Sequence, residues 1–182
     1  GFLILVLTAI CAAGTGKFLQ RPENEEARAV AKVVIPEETQ QEIRLLAMDR
    51  TKEEITLPAV FDYRREGRAS NVRDQSLFET CWAFASLTAL ETALMPEEEL
   101  DFSRDHLSCH NSFQMSPEEG GSYIMSVAYL TAWQGPVLEK DDPYGDQFSP
   151  EGLTAVKHVQ EVRMPADKDY QAIKQTVYLY GG

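Results

Sequence analysis

The sequence has 182 residues, of which 43% are hydrophobic and 25% charged, and this is enough for one globular domain with leader segments. Its formal net charge is −12, from 17 Lys and Arg against 29 Asp and Glu. Because nucleic acids bind to clustered cationic surfaces, the charge argues against a nucleic-acid partner, and the composition favours neither a wholly disordered chain nor a membrane protein.

The first segment, residues 1–14, has the composition of a secretory signal peptide. Phe2 to Ala13 is an apolar run, and it is shorter than the roughly 20 residues that a membrane-spanning helix needs. Small residues end it as at a cleavage site, although an initiator Met and a positively charged start are missing. We predict a signal peptide truncated at its start, a secreted or cell-envelope protein, and membrane contact only through this export signal. The alternative is a short buried helix or strand.

The second segment, residues 15–56, is rich in Glu, Gln and Arg and poor in aromatic side chains. Pro36 is suited to the first turn of a helix within it. The segment is predicted to be either a solvated linker or a propeptide that covers a site until it is removed.

From residue 57 onward the composition is that of a globular domain. The stretch CWAFASLTALETALM, which starts at Cys81, is apolar on nearly all sides and stops before Pro96, and this pattern predicts a buried helix. Strand signals are sparse, because the alternation at 156–164 is too irregular to assign a buried face. Further helices are predicted at 103–110 with Ser103 as its cap, at 121–133, and at 167–180 before Gly181.

Cys81 is the candidate for chemistry. A thiol at a helix N-terminus lies at the positive end of the helix dipole, which favours thiolate over thiol. A thiolate that attacks a carbonyl creates an oxyanion, and the side-chain amide of Gln75, six positions upstream, would supply a donor beside the Cys81 backbone N–H. The alternative is that Cys81 is a small buried hydrophobic residue, which is the commoner case for a lone cysteine.

Several motifs of the chain resemble the opening of a papain-family cysteine peptidase domain: LP at 57–58, FDYR at 61–64, VRDQ at 72–75, CWAF at 81–84 and LE at 90–91. FS at 102–103 with LSC at 107–109 is similar to the next helix of that family. The resemblance implies an α+β, papain-like cysteine proteinase fold, of which mainly the helical half is present. Residues 133–144 look most like secreted prokaryotic members that carry a lectin-like segment.

Carried over to this sequence, the resemblance makes Cys81 the nucleophile and Gln75 an oxyanion donor. It implies binding of an extended substrate backbone and of the residue two before the scissile bond at four consecutive residues: Gly120, Gly121, Ser122 and Tyr123. The alternatives are a simple turn at the glycine pair and a core position for the tyrosine. The implied partners are protein or peptide substrates and the protein's own propeptide, without a cofactor or a metal.

Two positions depart from the family pattern. Phe78 stands where members usually carry a cysteine bridged to the following helix, so Cys109 has no family partner. A bridge between Cys81 and Cys109 is the alternative, and it would consume the nucleophilic sulfur. Glu79 replaces a usual glycine, and its charge near the thiol opposes thiolate formation by like-charge repulsion. Reduced or altered activity is therefore expected.

The general base is expected outside the sequence. Family spacing places the catalytic His and its Asn about 130 to 150 residues after the cysteine, beyond about position 211, whereas the sequence ends at Gly182. His106, His110 and His158 are therefore predicted to be surface or packing residues, and Cys109 with His110 offers too few ligands for zinc.

Residues 57–182 are accordingly predicted to be a papain-like peptidase domain that is incomplete at its C-terminus. The predicted function is a secreted cysteine endopeptidase that hydrolyses peptide bonds through Cys81 and an acyl-enzyme, with this fragment alone inactive. The alternative is a non-catalytic secreted protein that binds peptides or surface polymers on a peptidase scaffold.

Overall fold

The computed structural model describes residues 4–6, 55–113, 115–166 and 168–181. Residues 15–54 of the predicted linker or propeptide, including the helix predicted at Pro36, lie outside the described residues. The elements in chain order are β1 (Ile4–Val6), α1 (Cys81–Leu94), α2 (Arg104–Cys109), α3 (Tyr123–Thr131), β2 (Glu161–Arg163) and α4 (Tyr170–Tyr180).

Helix α1 is the centre of the hydrophobic core. It begins at Cys81 and ends at Leu94, two residues before Pro96, whose ring removes a backbone donor and blocks continuation of a helix. Most of its residues are buried, so the buried helix predicted from the apolar stretch is confirmed. Its side chains pack with those of other segments in one cluster, whose most deeply buried members include Leu87, Leu90, Phe102, Leu107, Met125, Tyr129, Leu130 and Val159.

The two helices that follow begin at serine caps. Ser103 caps α2, and its Oγ accepts a hydrogen bond from the backbone N–H of His106 at 2.9 Å, as predicted. Ser122 caps α3, which is shorter than the predicted 121–133 at both ends. Ser122 is extended, with φ −140° and ψ 155°, and Trp133 has a left-handed φ of 59°, so neither residue continues a right-handed helix.

The strands are short. β1 pairs with β2 in parallel, with Ile4 opposite Glu161 and Val6 opposite Arg163. All three residues of β2 are half-buried, which agrees with the irregular alternation of this stretch. Residues Ile4–Val6 belong to the segment predicted to be a signal peptide, and that prediction stays a prediction. Among the helices in the described ranges, none is both long and apolar enough to cross a membrane.

A buried ion pair joins α1 to α2. Nη1 and Nη2 of Arg104 donate to the Glu91 carboxylate at 2.7 Å and 2.9 Å, and the Arg104 side chain is 0% exposed. The same guanidinium lies over the ring of Phe84, 5.5 Å from its centroid. Both partners of the ion pair are tied to fixed helices, so the pair sets how α2 lies against the helix that starts with Cys81.

Candidate active site

Cys81 is exposed at the first position of α1. It opens on a pocket of about 560 Å³ lined by Val72, Arg73, Asp74, Gln75, Cys81 and Phe84. The interpretation of Cys81 as a buried packing residue is therefore wrong. The sulfur is accessible because the rest of the helix supplies the core, while its first residue projects at the edge of that core.

Helix α1 starts at Cys81, directly after its N-cap residue Thr80. The carbonyl of Thr80, the N-cap residue, accepts the backbone N–H groups of Ala83 at 2.9 Å and Phe84 at 3.2 Å. The Thr80 side chain makes no capping hydrogen bond to the first turn. The amides of that turn and the helix dipole both favour negative charge at this end.

Gln75 lines the same pocket as Cys81. Its Nε2 donates one hydrogen bond to the carbonyl of Phe78 at 2.7 Å. A side-chain amide carries two N–H donors, so one of them remains for a ligand. The structure thus brings together the two side chains that the sequence predicts to be catalytic, and it fixes the amide through the loop's own backbone.

Tyr144 connects the Gln75 loop to the start of α1, and no sequence motif marks it as a site residue. Its hydroxyl donates to the carbonyl of Gln75 at 2.8 Å and lies 2.7 Å from Oγ1 of Thr80. Burial raises the pKa of Tyr144, so its phenol stays protonated and can donate. It follows Pro143 in a turn-like DDPY stretch, and nothing in that local pattern predicts a contact 69 residues away.

The glycine pair predicted to bind substrate lies against the residues on either side of Cys81. A Cβ atom on Gly120 would meet Cβ of Glu79 at 3.8 Å, whereas one on Gly121 would overlap the indole of Trp82. The backbone N–H of Glu79 also donates to the carbonyl of Pro117 at 3.0 Å. This segment therefore packs beside the start of α1, although it does not line the pocket that Cys81 and Gln75 share.

The other two predicted substrate residues start helix α3. The side chain of Ser122 caps that helix by accepting from the backbone N–H of Ile124 at 3.5 Å. Tyr123 is 38% exposed, so it is not a core residue. Their role in binding substrate stays a prediction.

Among the described residues, none of those that line the Cys81 pocket is a histidine. His106 is 4% exposed, and its Nδ1 lies 2.6 Å from the Tyr129 hydroxyl. His158 stacks on Trp133, with the ring centroids 4.6 Å apart. Both residues therefore make the packing contacts that the sequence predicts for the histidines.

Cys109 is the second exposed cysteine. Desolvation, followed by the nearby charge of Asp105, raises the pKa of Cys109 to about 11, so its thiol stays protonated at neutral pH. Cys81 and Cys109 are both free, and the alternative of a bridge between them is wrong. Across the described parts of the chain, no group of three or more His, Cys, Asp and Glu residues is arranged to hold a metal ion.

Replacement of His106 by Gln should remove part of the pH dependence of stability. Burial, followed by the neighbouring His110, lowers the pKa of His106 from 6.5 to about 4. As the pH falls below 6.5, His106 binds a proton in the unfolded chain but not in the folded chain. The folded state therefore loses stability until the pH approaches 4. Between pH 7 and 5 the wild type should lose at most about 2 kcal/mol more than His106→Gln.

Urea denaturation of both proteins at the two pH values measures this difference. Burial also raises the pKa of Asp105 and of Glu139, and these carboxyl groups act in the opposite direction. They are present in both proteins, so the comparison cancels them to a first approximation. Equal losses in the two proteins would contradict the prediction.

Comparison with known proteins identifies the family. Residues 57–180 match the family model described as papain family cysteine protease. This match covers well over half of the chain, and the chain belongs to the papain family of cysteine proteases.

The relatives are longer than this chain. Cysteine proteinase 1 of Entamoeba histolytica is 30% identical over 131 residues, which cover 66% of this chain and 38% of that protein. The viral cathepsin of Antheraea pernyi nuclear polyhedrosis virus is 25% identical over 151 residues, which cover 81% of this chain and 45% of that protein. The chain thus spans less than half the length of these two relatives.

Solved structures support the fold. The cysteine protease and lectin-like domains of a surface layer associated protein of Clostridium difficile match with a TM-score of 0.58 at 25% identity, over 69% of this chain and 32% of that chain. A structure from work on the mite allergens Blo t 1 and Der p 1 matches with a TM-score of 0.59 at 21% identity, over 72% and 46%. The predicted papain-like fold, described here mainly by its helical half, is confirmed.

Proposed function

We propose that the protein is a secreted cysteine endopeptidase and that Cys81 is its nucleophile. The observation that carries the proposal is the exposed thiol at the start of a buried helix, in one pocket with the amide of Gln75. Membership of the papain family supports it. The proposed substrates are proteins or peptides.

In the proposed reaction the Cys81 thiolate forms a bond to the carbonyl carbon of the scissile peptide. The negative charge that develops on the carbonyl oxygen is met by the backbone N–H of Cys81 and the free N–H of the Gln75 amide. The C–N bond then breaks, the amine leaves with a proton, and an acyl-enzyme remains. Water adds to the thioester, which releases the acid and restores the thiol.

The proton that the amine takes up requires a general acid, and the same group must first accept the thiol proton. We propose that a histidine outside the given sequence, oriented by an asparagine, performs this role. The absence of a histidine from the lining of the Cys81 pocket and the greater length of the relatives support this assignment.

The segments before residue 57 belong to the same proposal. Residues 1–14 would direct export and be removed, and residues 15–56 would act as a propeptide. The family match begins at residue 57, which supports a separate role for what precedes it. Glu79 stays a predicted cause of reduced activity, since it lies two positions before Cys81.

Substitution of Cys81 by Ala should abolish both covalent labelling and peptide hydrolysis in the full-length protein, because no other group forms the acyl-enzyme. The label is a peptidyl epoxide that alkylates thiols, and its attachment is read by intact mass spectrometry. Hydrolysis is followed with a fluorogenic peptide. We expect a loss of activity of at least about 10⁴-fold, as for removal of other catalytic nucleophiles.

Cys109→Ala is the matched control, because it removes the other described thiol and should leave labelling and hydrolysis intact. Labelling at Cys81 without hydrolysis of any peptide would overturn the endopeptidase proposal in favour of a peptide-binding protein on the same scaffold. Labelling that survives Cys81→Ala would overturn the assignment of the nucleophile.

A further inference from the structure

We propose that Tyr144 is a positioning residue for the oxyanion donors, because its hydroxyl holds the Gln75 loop, residues 75–80, against the start of α1. The inference rests on the proposed function and adds a residue to it. Tyr144 touches neither the sulfur nor the pocket that Cys81 lines. It acts through Gln75 and Thr80.

A directed chain of hydrogen bonds makes the connection. A tyrosine hydroxyl has one proton, and that of Tyr144 is donated to the carbonyl of Gln75 at 2.8 Å. In the contact of 2.7 Å with Thr80, the Thr80 hydroxyl must therefore be the donor. The order runs from Thr80 through Tyr144 to Gln75, and each bond polarises and strengthens the next.

This series of hydrogen bonds connects the two donors of the proposed oxyanion site. Thr80 directly precedes Cys81 and is the N-cap of its helix, so its position sets the direction of the Cys81 backbone N–H. Gln75 carries the other donor. A hydroxyl that bonds to both residues fixes the distance between the two donors before substrate arrives, which is the condition for electrostatic stabilisation of an oxyanion.

The ring of Tyr144 is itself held by two half-buried phenylalanine rings. It makes edge contacts with Phe84 on α1 at a centroid distance of 4.8 Å and with Phe78 at 6.0 Å. Its backbone N–H donates to the Glu139 carboxylate at 3.0 Å, and the backbone N–H of Glu139 donates to the carbonyl of Asp101 at 2.9 Å. These contacts fix the position of the Tyr144 hydroxyl relative to α1.

The part of the loop next to Gln75 needs such a fixed contact, because the apolar side chains there are exposed. Leu77 is 92% exposed and Val72, just before the loop, is 101% exposed. Ser76 has a left-handed φ of 55°, which a serine adopts only where surrounding contacts impose it. Thr80, at the far end of the loop, is buried, whereas the Gln75 end depends on hydrogen bonds to keep the amide at the pocket.

Tyr144→Phe tests the proposal, because it removes the hydroxyl and keeps the ring contacts. In the full-length protein we expect kcat for a fluorogenic peptide to fall about tenfold with little change in KM, because the lost interaction stabilises the transition state. The effect should be smaller than the roughly 10²- to 10³-fold loss caused by deletion of an oxyanion donor. In a Gln75→Ala background the same substitution should lower kcat less, by about threefold, because the side-chain amide donor is gone and only the Cys81 N–H, positioned through Thr80, is still affected.

A second measurement does not depend on activity. Amide hydrogen exchange of residues 75–80 should accelerate about fivefold in Tyr144→Phe, the size expected for loss of one net hydrogen bond. The matched control is Tyr63→Phe, which also loses a tyrosine hydroxyl bond to a backbone carbonyl, that of Val177. It should leave kcat and the exchange of the Gln75 loop unchanged.

The outcomes separate this inference from the proposed function. If the wild type fails to hydrolyse peptides, the proposed function fails, and the exchange experiment still decides whether Tyr144 holds the loop. Equal loss of kcat with and without the Gln75 amide overturns the positioning role. Unchanged exchange in Tyr144→Phe overturns the inference whatever the activity.

Discussion

Glu91→Ala should lower the free energy of unfolding by about 3 to 5 kcal/mol, the usual cost of removing one partner of a buried ion pair. Glu91 is 3% exposed and Arg104 0%. The Glu91 carboxylate accepts hydrogen bonds from both terminal nitrogens of the Arg104 guanidinium and, at 3.0 Å, from the backbone N–H of Phe102. The substitution leaves a buried cation whose other charged contact is Asp101 at 3.1 Å, partly exposed. Urea denaturation measures the loss.

The chain offers a matched control at its surface. Glu98 pairs with Lys157 at 2.5 Å, with side-chain exposures of 45% and 25%, and Glu98→Ala should cost less than about 1 kcal/mol. The double variant Glu91→Leu with Arg104→Met should recover most of the stability, because both buried charges are removed together. If Glu91→Ala costs no more than Glu98→Ala, the ion pair is not a major contributor to stability.

Gly121→Ala should destabilise the protein by about 3 kcal/mol, at the upper end of the cost of overpacking. The added Cβ would overlap Nε1 of Trp82 and lie 2.5 Å and 2.8 Å from two ring carbons. Trp82 is 7% exposed and follows Cys81, so the indole cannot move aside without a shift of the first turn of α1. Epoxide labelling of Cys81 should slow as well. Thermal unfolding and the labelling rate measure the two effects.

Gly120→Ala distinguishes the cost of a steric clash from the cost of backbone strain. At Gly120 a Cβ has room, with its nearest neighbour at 3.8 Å, but φ is 82°. A left-handed conformation costs about 1 to 2 kcal/mol for a residue with a side chain, so Gly120→Ala should be the milder variant. Trp82→Phe shortens the ring and should make Gly121→Ala less costly in the double variant than in the wild type. Equal costs in both backgrounds would show that Trp82 is not the obstacle.

The helices of this protein follow from local chemistry. The apolar stretch from Cys81 to Pro96 predicted α1, because a helix that is apolar on nearly all sides must be buried. Ser103 predicted the start of α2, since a serine hydroxyl satisfies a free amide of the first turn within three residues. The predicted range for α3 is too long, because it includes Gly121, the N-cap Ser122 and the left-handed Trp133.

One feature of the candidate site also follows from local sequence, and another does not. Six positions separate Gln75 from Cys81, and so short a spacing lets sequence alone predict that both side chains meet in one pocket, as they do. The sequence does not decide whether Cys81 is exposed, because the same helix pattern suits a packed or a reactive thiol. Burial depends on what covers a residue, and that is contributed by distant segments.

The sequence by itself thus determined the family motifs, the buried helix α1, the serine cap of α2 and the proximity of Cys81 and Gln75, all of which depend on residues close together in the chain. Only the tertiary structure decided that Tyr144 bonds to Gln75 and Thr80, that Glu91 holds Arg104, and that Gly121 packs on Trp82. These contacts join residues 13 to 69 positions apart. Their partners are selected by how the helices pack, and no local pattern of residue types encodes that choice.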